Sequence, residues 1–208
     1  LNFEKLSKNI VNLISNSKKH NITSILSINT NPNDFKNHIN LLKNYNAIYL
    51  SYGLHPSEVK SVNQVNIKDF DKFCKHEKVI GIGETGIDLF HGDEYLKEQT
   101  QVFEIHVEAS IKYSLPLIIH QRESEEELIS ILKKYKSKNL KLVFHCFTGS
   151  KKLLNFCLDN NYYISISGII TFKNATNLRS IIKDVPLSSI LIETDSPFLA
   201  PEPMRGKI

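Results

Sequence analysis

Five side chains capable of metal ligation or acid–base chemistry stand at, or just beyond, the ends of short apolar runs in this 208-residue sequence. In a parallel α/β fold the carboxyl ends of the strands share one rim, so side chains placed there in phase converge on one cavity. Imidazole and carboxylate groups together suit zinc, manganese or magnesium ions. One such residue alone is more often a cap or a satisfied polar group, but five in phase predict a shared site. They are His55, Glu84, His120, His145 and Asp195.

The local sequence around Glu84 places three glycines beside the carboxylate, in the order Gly81-Ile82-Gly83-Glu84-Thr85-Gly86-Ile87-Asp88. Glycine lets a backbone approach its neighbour or a ligand closely. The run is not a dinucleotide-binding fingerprint, because it continues as an apolar segment instead of opening a helix. His55 follows an apolar run on a tight turn, Gly53-Leu54-His55-Pro56. Both side chains are therefore predicted to lie at strand ends.

Short apolar, β-branched runs alternate with longer segments of helical period along the whole chain, which is typical of a parallel α/β fold. Several of the runs are apolar throughout, as strands are when both faces of a sheet are covered. The predicted strands are residues 22–27, 47–52, 79–83, 116–120, 140–145, 162–167 and 189–194. The predicted helices are residues 33–43, 66–76, 94–113, 123–135, 151–160 and 175–183.

Seven predicted strands in series are one short of an eight-stranded barrel. This pattern leaves two arrangements open. One is a (β/α) barrel without its first strand; the other is an open doubly wound sheet, which uses fewer strands and binds ligand in a single crevice. Nothing resembling a linker interrupts residues 1–208, so we predict one domain.

The bulk composition is ordinary for a globular protein. The net charge of +4 tolerates a polyanionic substrate without by itself indicating one. Three cysteines without a CxxC pair predict a reduced intracellular protein, cytoplasmic or nuclear. Apolar runs fall short of the roughly 18–20 residues of a membrane span, so no membrane association is expected, and no obligate protein partner is evident. Because the sequence opens with Leu1, we expect the natural chain to begin upstream, where a targeting segment can lie.

Five segments, in this order, resemble the TatD family of metal-dependent deoxyribonucleases within the amidohydrolase-like barrels. A chance match to one motif is common, whereas the ordered set is highly specific. A further segment at residues 201–207 resembles the stretch that follows the family's aspartate. The resemblance implies a TIM-type (β/α) barrel. The five segments are Gly53-Leu54-His55-Pro56, residues 81–88, residues 115–122, His145-Cys146-Phe147-Thr148-Gly149 and Glu193-Thr194-Asp195-Ser196-Pro197.

The resemblance also implies roles for individual residues. Glu84 corresponds to a carboxylate that bridges two divalent metal ions (magnesium, manganese or zinc), and His120 and His145 to imidazole ligands. Asp195 corresponds to a ligand that orients or deprotonates the attacking water, so Asp195 and Glu84 are the predicted catalytic pair. A metal-activated water is then the nucleophile.

Three further residues are predicted to meet substrate. The resemblance places His55 and Arg205 beside a phosphate, and Arg122 lies two residues after His120. Arginine pairs well with phosphate because its planar guanidinium donates two parallel hydrogen bonds. The implied substrate is DNA, single-stranded or with frayed ends, cut from its 3′ end.

The sequence departs from the family at one place. The family carries a His-x-His pair at the end of its first strand, and residues 1–208 contain no such pair. We interpret the sequence as a barrel without its first strand and last helix, shortened at both ends. We expect this chain to bind metal weakly and to have low nuclease activity.

Two other functions compete with the nuclease. The same metals hydrolyse other ester or amide bonds in related barrels, including aminoacyl-tRNA, and fold alone does not choose between substrates. Glu84 favours the TatD branch, since many amidohydrolases carry a carbamylated lysine at this strand. The other alternative is a barrel that has lost its chemistry and serves as a scaffold.

Two other histidines are predicted to lie outside the metal site. Glu104, His106 and Glu108 lie in a predicted helix, where steps of two turn His106 away from the two glutamates. His38, in polar surroundings rich in asparagine and lysine, is predicted to lie on the surface.

Overall fold

The structure is a computed structural model that describes residues 1–60, 65 and 67–207. Within these residues the chain forms one parallel sheet whose seven strands follow the order of the sequence. The strands are β1 (Ile25–Ser27), β2 (Ile48–Tyr52), β3 (Val79–Asp88), β4 (Leu117–Arg122), β5 (Leu142–Phe144), β6 (Tyr163–Ile166) and β7 (Ile190–Ile192).

Helices precede the first strand and separate each pair of neighbouring strands. Short 3-10 turns at Pro32–Asp34, Pro56–Glu58, Lys136–Lys138, Gly168–Thr171 and Leu187–Ser189 shape the connections. The helices are α1 (Glu4–Ser7), α2 (Ile10–Lys19), α3 (Phe35–Leu42), α4 (Ile67–Phe73), α5 (Leu96–Tyr113), α6 (Glu125–Lys134), α7 (Lys151–Asp159) and α8 (Thr176–Ile182).

The seven predicted strands and six predicted helices are all confirmed, with boundaries that differ mainly by one to three residues. The predicted start of the helix before β3, at residue 66, lies outside the described residues. The largest difference is in β3, which was predicted to end at residue 83 but continues to Asp88. It remains paired with β4 up to Asp88, opposite Arg122.

Two glycines allow β3 to pass close to β4. Gly83 has φ 133°, and a Cβ there would lie 2.5 Å from the carbonyl oxygen of Ile118. Gly86 has φ 148°, and a Cβ there would lie 2.0 Å from the carbonyl oxygen of His120. Side chains are excluded at both positions by sterics and by backbone conformation. The glycines around Glu84 therefore serve close strand packing.

The sheet curls, so its carboxyl edge is concave. Side chains that follow β2 and β5 meet around one carboxylate on β3, which a flat sheet would keep apart. Side chains of the helices cover the outer face, and large apolar side chains such as Tyr52, Phe103 and Phe144 are fully buried. The fold is thus of the TIM-type (β/α) barrel class, as predicted, and the open doubly wound sheet is excluded.

One buried histidine contradicts the sequence prediction. His38 was predicted to lie on the surface, but it is fully buried on the inner face of α3 with Phe35 and Leu42. These positions are three and four residues apart, which places them on one side of a helix. Its Nε2 lies 2.8 Å from the Ser27 hydroxyl. Among the described residues, the structure has no helix that is both long and apolar enough to cross a membrane.

Candidate metal centre

Three imidazoles surround one carboxylate oxygen at the concave edge of the sheet. The carboxylate belongs to Glu84, which is buried in β3. Its Oε1 lies 3.0 Å from His120 Nδ1, 3.0 Å from His145 Nε2 and 3.4 Å from His55 Nε2. Four of the five residues singled out by spacing are thus brought into direct contact.

Each imidazole comes from a different strand end. His55 follows β2, His120 lies within β4, and His145 directly follows β5. The backbone N–H of His145 donates to the carbonyl of Ile119 at 2.9 Å, which fixes the residue against the neighbouring strand. Parallel pairing brings these strand ends to one rim.

His55 is held in a defined tautomer. It precedes the 3-10 turn Pro56–Glu58, and the backbone N–H of Ser57 donates to its Nδ1 at 3.1 Å. A nitrogen that accepts a hydrogen bond carries no proton, so in neutral His55 the proton is on Nε2. That nitrogen faces Glu84 and lies 3.2 Å from His120 Nδ1. The ligand atoms of His55, Glu84 and His120 lie within 4.8 Å of one another, but this tautomer makes His55 a hydrogen-bond donor.

Two carboxylates that the sequence analysis did not select hold the other nitrogens of the two remaining imidazoles. Asp88 Oδ2 lies 2.9 Å from His120 Nε2, and Glu193 Oε2 lies 2.9 Å from His145 Nδ1. A carboxylate that accepts from one ring nitrogen fixes the ring orientation and leaves the other nitrogen to face the site. Asp88 and Glu193 therefore fix the orientation of the two imidazoles from the side that faces away from Glu84.

The sequence did contain signals for these two residues. Asp88 lies four positions after Glu84, and alternate residues of a strand share a face. The signal was missed because β3 was predicted to end at residue 83, before Asp88. Glu193 lies two positions before Asp195 in the same motif, and it was read only as part of that motif.

The charges of the cluster are strongly coupled. Burial opposes ionisation of Glu84, but the surrounding imidazoles, His145 foremost, outweigh it and hold its pKa well below the usual value. Burial likewise disfavours the charged form of His145, but Glu84 and Glu193 raise its pKa well above normal. The pKa of His120 is raised by Asp88 and Glu84 against the effect of burial. The centre thus favours an anionic carboxylate beside cationic charge.

Asp195 acts on this cluster through charge. It lies just after β7 in a left-handed conformation with φ 52°. Burial is the main cause that raises the pKa of Asp195 to about 6, and the positive charge of His145 partly offsets it. A carboxyl group with a pKa near neutrality can accept a proton during a reaction.

The two arginines predicted to meet substrate stack on aromatic rings. The guanidinium carbon of Arg122 lies 3.3 Å from the ring centroid of Phe90, and that of Arg205 lies 4.1 Å from that of Phe172. Neither arginine contacts Glu84 directly. The third arginine, Arg179, donates to the carbonyls of Ile170 and Phe172, so it braces the loop on which Arg205 rests.

The donor set fits a divalent cation. Carboxylate oxygens and imidazole nitrogens are the ligands that zinc and manganese take in proteins. The second oxygen of Glu193, Oε1, is buried without a hydrogen-bond partner among the described residues. A buried carboxylate with an unpaired oxygen is costly unless positive charge lies nearby. Glu84, His120 and His145, with Asp195 at the rim, are the residues that would hold such an ion.

Known proteins resemble this chain over its whole length. The family model described as TatD related DNase matches residues 1–208. The chain is 38% identical over 206 residues to an uncharacterized metal-dependent hydrolase of Buchnera aphidicola, covering 99% of this chain and 77% of that protein. It is 33% identical over 208 residues to the uncharacterized metal-dependent hydrolase YabD of Bacillus subtilis, covering 100% of this chain and 81% of YabD.

A solved structure has the same architecture. YjjV, a TatD homologue from Escherichia coli, superposes with a TM-score of 0.91 at 26% identity, covering 99% of this chain and 80% of YjjV. The family model over the whole chain and the identity to these relatives lead to one conclusion: this chain belongs to the TatD family of metal-dependent hydrolases.

Proposed function

We propose that this protein is a metal-dependent deoxyribonuclease that removes nucleotides from the 3′ ends of single-stranded or frayed DNA. The observation that carries the proposal is the convergence of three imidazoles from three strand ends on the buried carboxylate of Glu84. Such a centre suits hydrolysis of a stable ester, because it concentrates positive charge where a phosphate develops negative charge.

Four residues would hold the metal: Glu84, His120, His145 and Asp195. Divalent ions, two by the family resemblance, would supply Lewis-acid activation of water and neutralise charge on the phosphoryl oxygens. Asp88 and Glu193 keep the two imidazoles turned toward Glu84. The chain therefore contributes a preorganised set of donors.

The remaining steps belong to side chains at the rim. His55 presents its Nε2 proton toward the centre and donates a hydrogen bond to a phosphate oxygen. Asp195 accepts the proton of the attacking water as the water oxygen bonds to phosphorus. The bond from phosphorus to the 3′ oxygen breaks, and that oxygen takes a proton from solvent. Arg205, in the segment after β7, and Arg122, at the end of β4, balance the negative charge of the phosphate.

DNA as the substrate, and the 3′ polarity, are supported by the family resemblance and by the description of the matching family as a DNase. The net charge of +4 is compatible with a polyanionic substrate.

The experiment is metal-dependent hydrolysis of a single-stranded oligonucleotide labelled at its 5′ end, with the same oligonucleotide labelled at its 3′ end in parallel. The proposal expects a ladder that shortens from the 3′ end with magnesium, manganese or zinc, and none with chelator. Glu84→Gln and Asp195→Asn should abolish it, whereas Glu98→Gln, at an exposed position of α5, should not.

Two outcomes would contradict the proposal. Cleavage that persists in Glu84→Gln would show that hydrolysis comes from elsewhere. No cleavage by the chain, nor by a form extended upstream with a strand ending in His-x-His, would favour another substrate, and aminoacyl-tRNA and small esters or amides are then assayed on the same proteins.

A further inference from the structure

A groove of about 620 Å³ lies beside the metal centre at the carboxyl ends of β3, β4 and β5. Its lining includes Phe90, Gln121 and Arg122. Thr148 and a series of glutamates at the start of α6 complete it. None of the residues that line the groove belongs to the cluster around Glu84.

The groove is tied to the centre by short stretches of backbone. Gln121 and Arg122 directly follow His120 on β4. Phe90 lies two residues after Asp88, and its backbone N–H donates to Asp88 Oδ1 at 3.0 Å. Thr148 lies three residues after His145. A group bound in the groove would thus lie next to the one whose bond is cut.

Phe90 and Arg122, which both line the groove, are stacked on each other and form what we call the Phe90–Arg122 platform. The Phe90 ring is 47% exposed, so part of its apolar surface is open to a ligand. The guanidinium carbon of Arg122 lies 3.3 Å from the centroid of this ring, and the ring of His91 is nearly perpendicular to it at 4.8 Å between centroids. Aromatic rings and guanidinium groups are the surfaces on which nucleobases stack in proteins that bind single strands.

The glutamates of the lining make up an acidic wall that is unsuited to phosphate. Glu123, Glu125, Glu126 and Glu127 all line the groove. Glu125 accepts hydrogen bonds from the Ser150 hydroxyl and backbone N–H, and Glu126 is paired with Lys152, so part of the acidic series is structural. The wall nevertheless carries more negative than positive charge. A continuing phosphodiester chain would be repelled there, while a neutral base would not.

We propose that this groove binds the base of the terminal nucleotide, stacked on the Phe90–Arg122 platform. The assignment rests on the proposed nuclease function, and it explains why that nuclease would cut at the 3′ end of a DNA strand. The scissile phosphate lies at the metal centre, one base enters the groove, and the acidic wall leaves no place for a further phosphate. The amide of Gln121 and the hydroxyl of Thr148 are the polar groups available to the base edge.

The first test measures binding without hydrolysis. The fluorescent base 2-aminopurine is placed at the 3′-terminal or at an internal position of a short single strand, and chelator is present throughout. Stacking of the terminal base should quench its fluorescence on titration with protein, and the internal base should respond much less. Equal quenching at both positions, or none at the terminal one, would overturn the proposal.

The variant test removes the platform and keeps the fold. Phe90→Ala should weaken binding of the oligonucleotide by at least about fivefold, the lower range for loss of one base–aromatic stack. Phe90→Tyr, which keeps the ring, should restore it. With an oligonucleotide whose terminal residue is abasic, wild type and Phe90→Ala should bind alike. A loss of equal size on the abasic strand would contradict stacking, and thermal melting of each variant excludes unfolding.

Failure of this proposal is distinguishable from failure of the nuclease assignment. If the chain cleaves DNA but does not distinguish a terminal base from an abasic residue, the groove proposal is wrong and the nuclease stands. If terminal 2-aminopurine is quenched in a Phe90-dependent way but no DNA is cut, the groove is upheld and the nuclease fails.

Discussion

Two pairs of histidines in this protein have opposite properties. At the concave edge, His120 and His145 face carboxylates on both ring nitrogens, and their pKa values are raised. Between the sheet and the helices, His38 and His106 are fully buried. Burial lowers the pKa of each to about 4.

The pKa values differ because the ring nitrogens of the two pairs have different hydrogen-bond partners. His106 donates from Nδ1 to the carbonyl of Val102 at 2.7 Å and accepts at Nε2 from the Leu54 N–H at 3.0 Å, so neutral imidazole satisfies both contacts. His145 instead faces Glu84 and Glu193. Burial alone makes a histidine neutral, and carboxylate neighbours make it cationic or a ligand. His106 nevertheless serves the site, since it fixes the turn that leads into His55.

The strongest test of this comparison removes the carboxylate at its centre. Glu84→Gln should lower hydrolytic activity on the order of 10³-fold, because it removes the charge that would hold the metal. Calorimetric titration with manganese should show loss of binding. Glu98→Gln is the matched control at an exposed site. Retained manganese affinity would show that the imidazoles are not organised around Glu84.

The next test distinguishes His55, a hydrogen-bond donor, from the residues that would bind the metal. His55→Ala should lower kcat/KM by about 10²-fold, the range for loss of one hydrogen-bond donor in an active site. Its metal affinity should remain unchanged, because its Nε2 carries a proton and provides no lone pair. A fall in manganese affinity equal to that of His120→Ala would instead make His55 a ligand.

Substitution of Glu193 or Asp88, the carboxylates that orient the imidazoles, should have a smaller effect. Glu193→Gln keeps a hydrogen-bond acceptor for His145 but loses the charge, and metal affinity should fall by about 10- to 100-fold. Asp88→Asn should act similarly on His120. Titration calorimetry with zinc measures both, and nitrogen-15 spectra of the histidines report the tautomer directly. Wild-type affinity together with an unchanged tautomer in Glu193→Gln would contradict the orienting role.

The smallest expected effect is on the pH dependence of stability, and it comes from the neutral histidines. His106 has a folded-state pKa of about 4 against 6.5 for the free side chain, so the unfolded chain binds the proton first as pH falls. The free energy of unfolding should therefore decrease from pH 6.5 to 4, by up to about 3 kcal/mol from this residue.

His106→Gln should make that decrease shallower, as measured by denaturant unfolding at several pH values, while His20→Gln, at an exposed position, should leave it unchanged. An identical pH dependence in wild type and His106→Gln would mean that folding does not change the pKa of His106, and would contradict the prediction.

Much of the fold and of the site could be predicted from the sequence. The alternation of apolar and amphipathic runs located the strands, because strands covered on both faces are apolar throughout. Parallel strands place their carboxyl ends together, which is why a strand-end pattern was enough to select His55, Glu84, His120 and His145. His38 was misassigned, since the polar residues around it in sequence are not its neighbours in space.

The sequence alone determined which residue types stand at which strand ends, because the order of strands in this sheet is the order of the chain. Only the tertiary structure decided how the imidazoles are used. The curl of the sheet brings β2 and β5 to the same carboxylate, the extension of β3 brings Asp88 behind His120, and the Ser57 N–H selects the tautomer of His55. These contacts join residues far apart in the chain, and local periodicity carries no information about such distances.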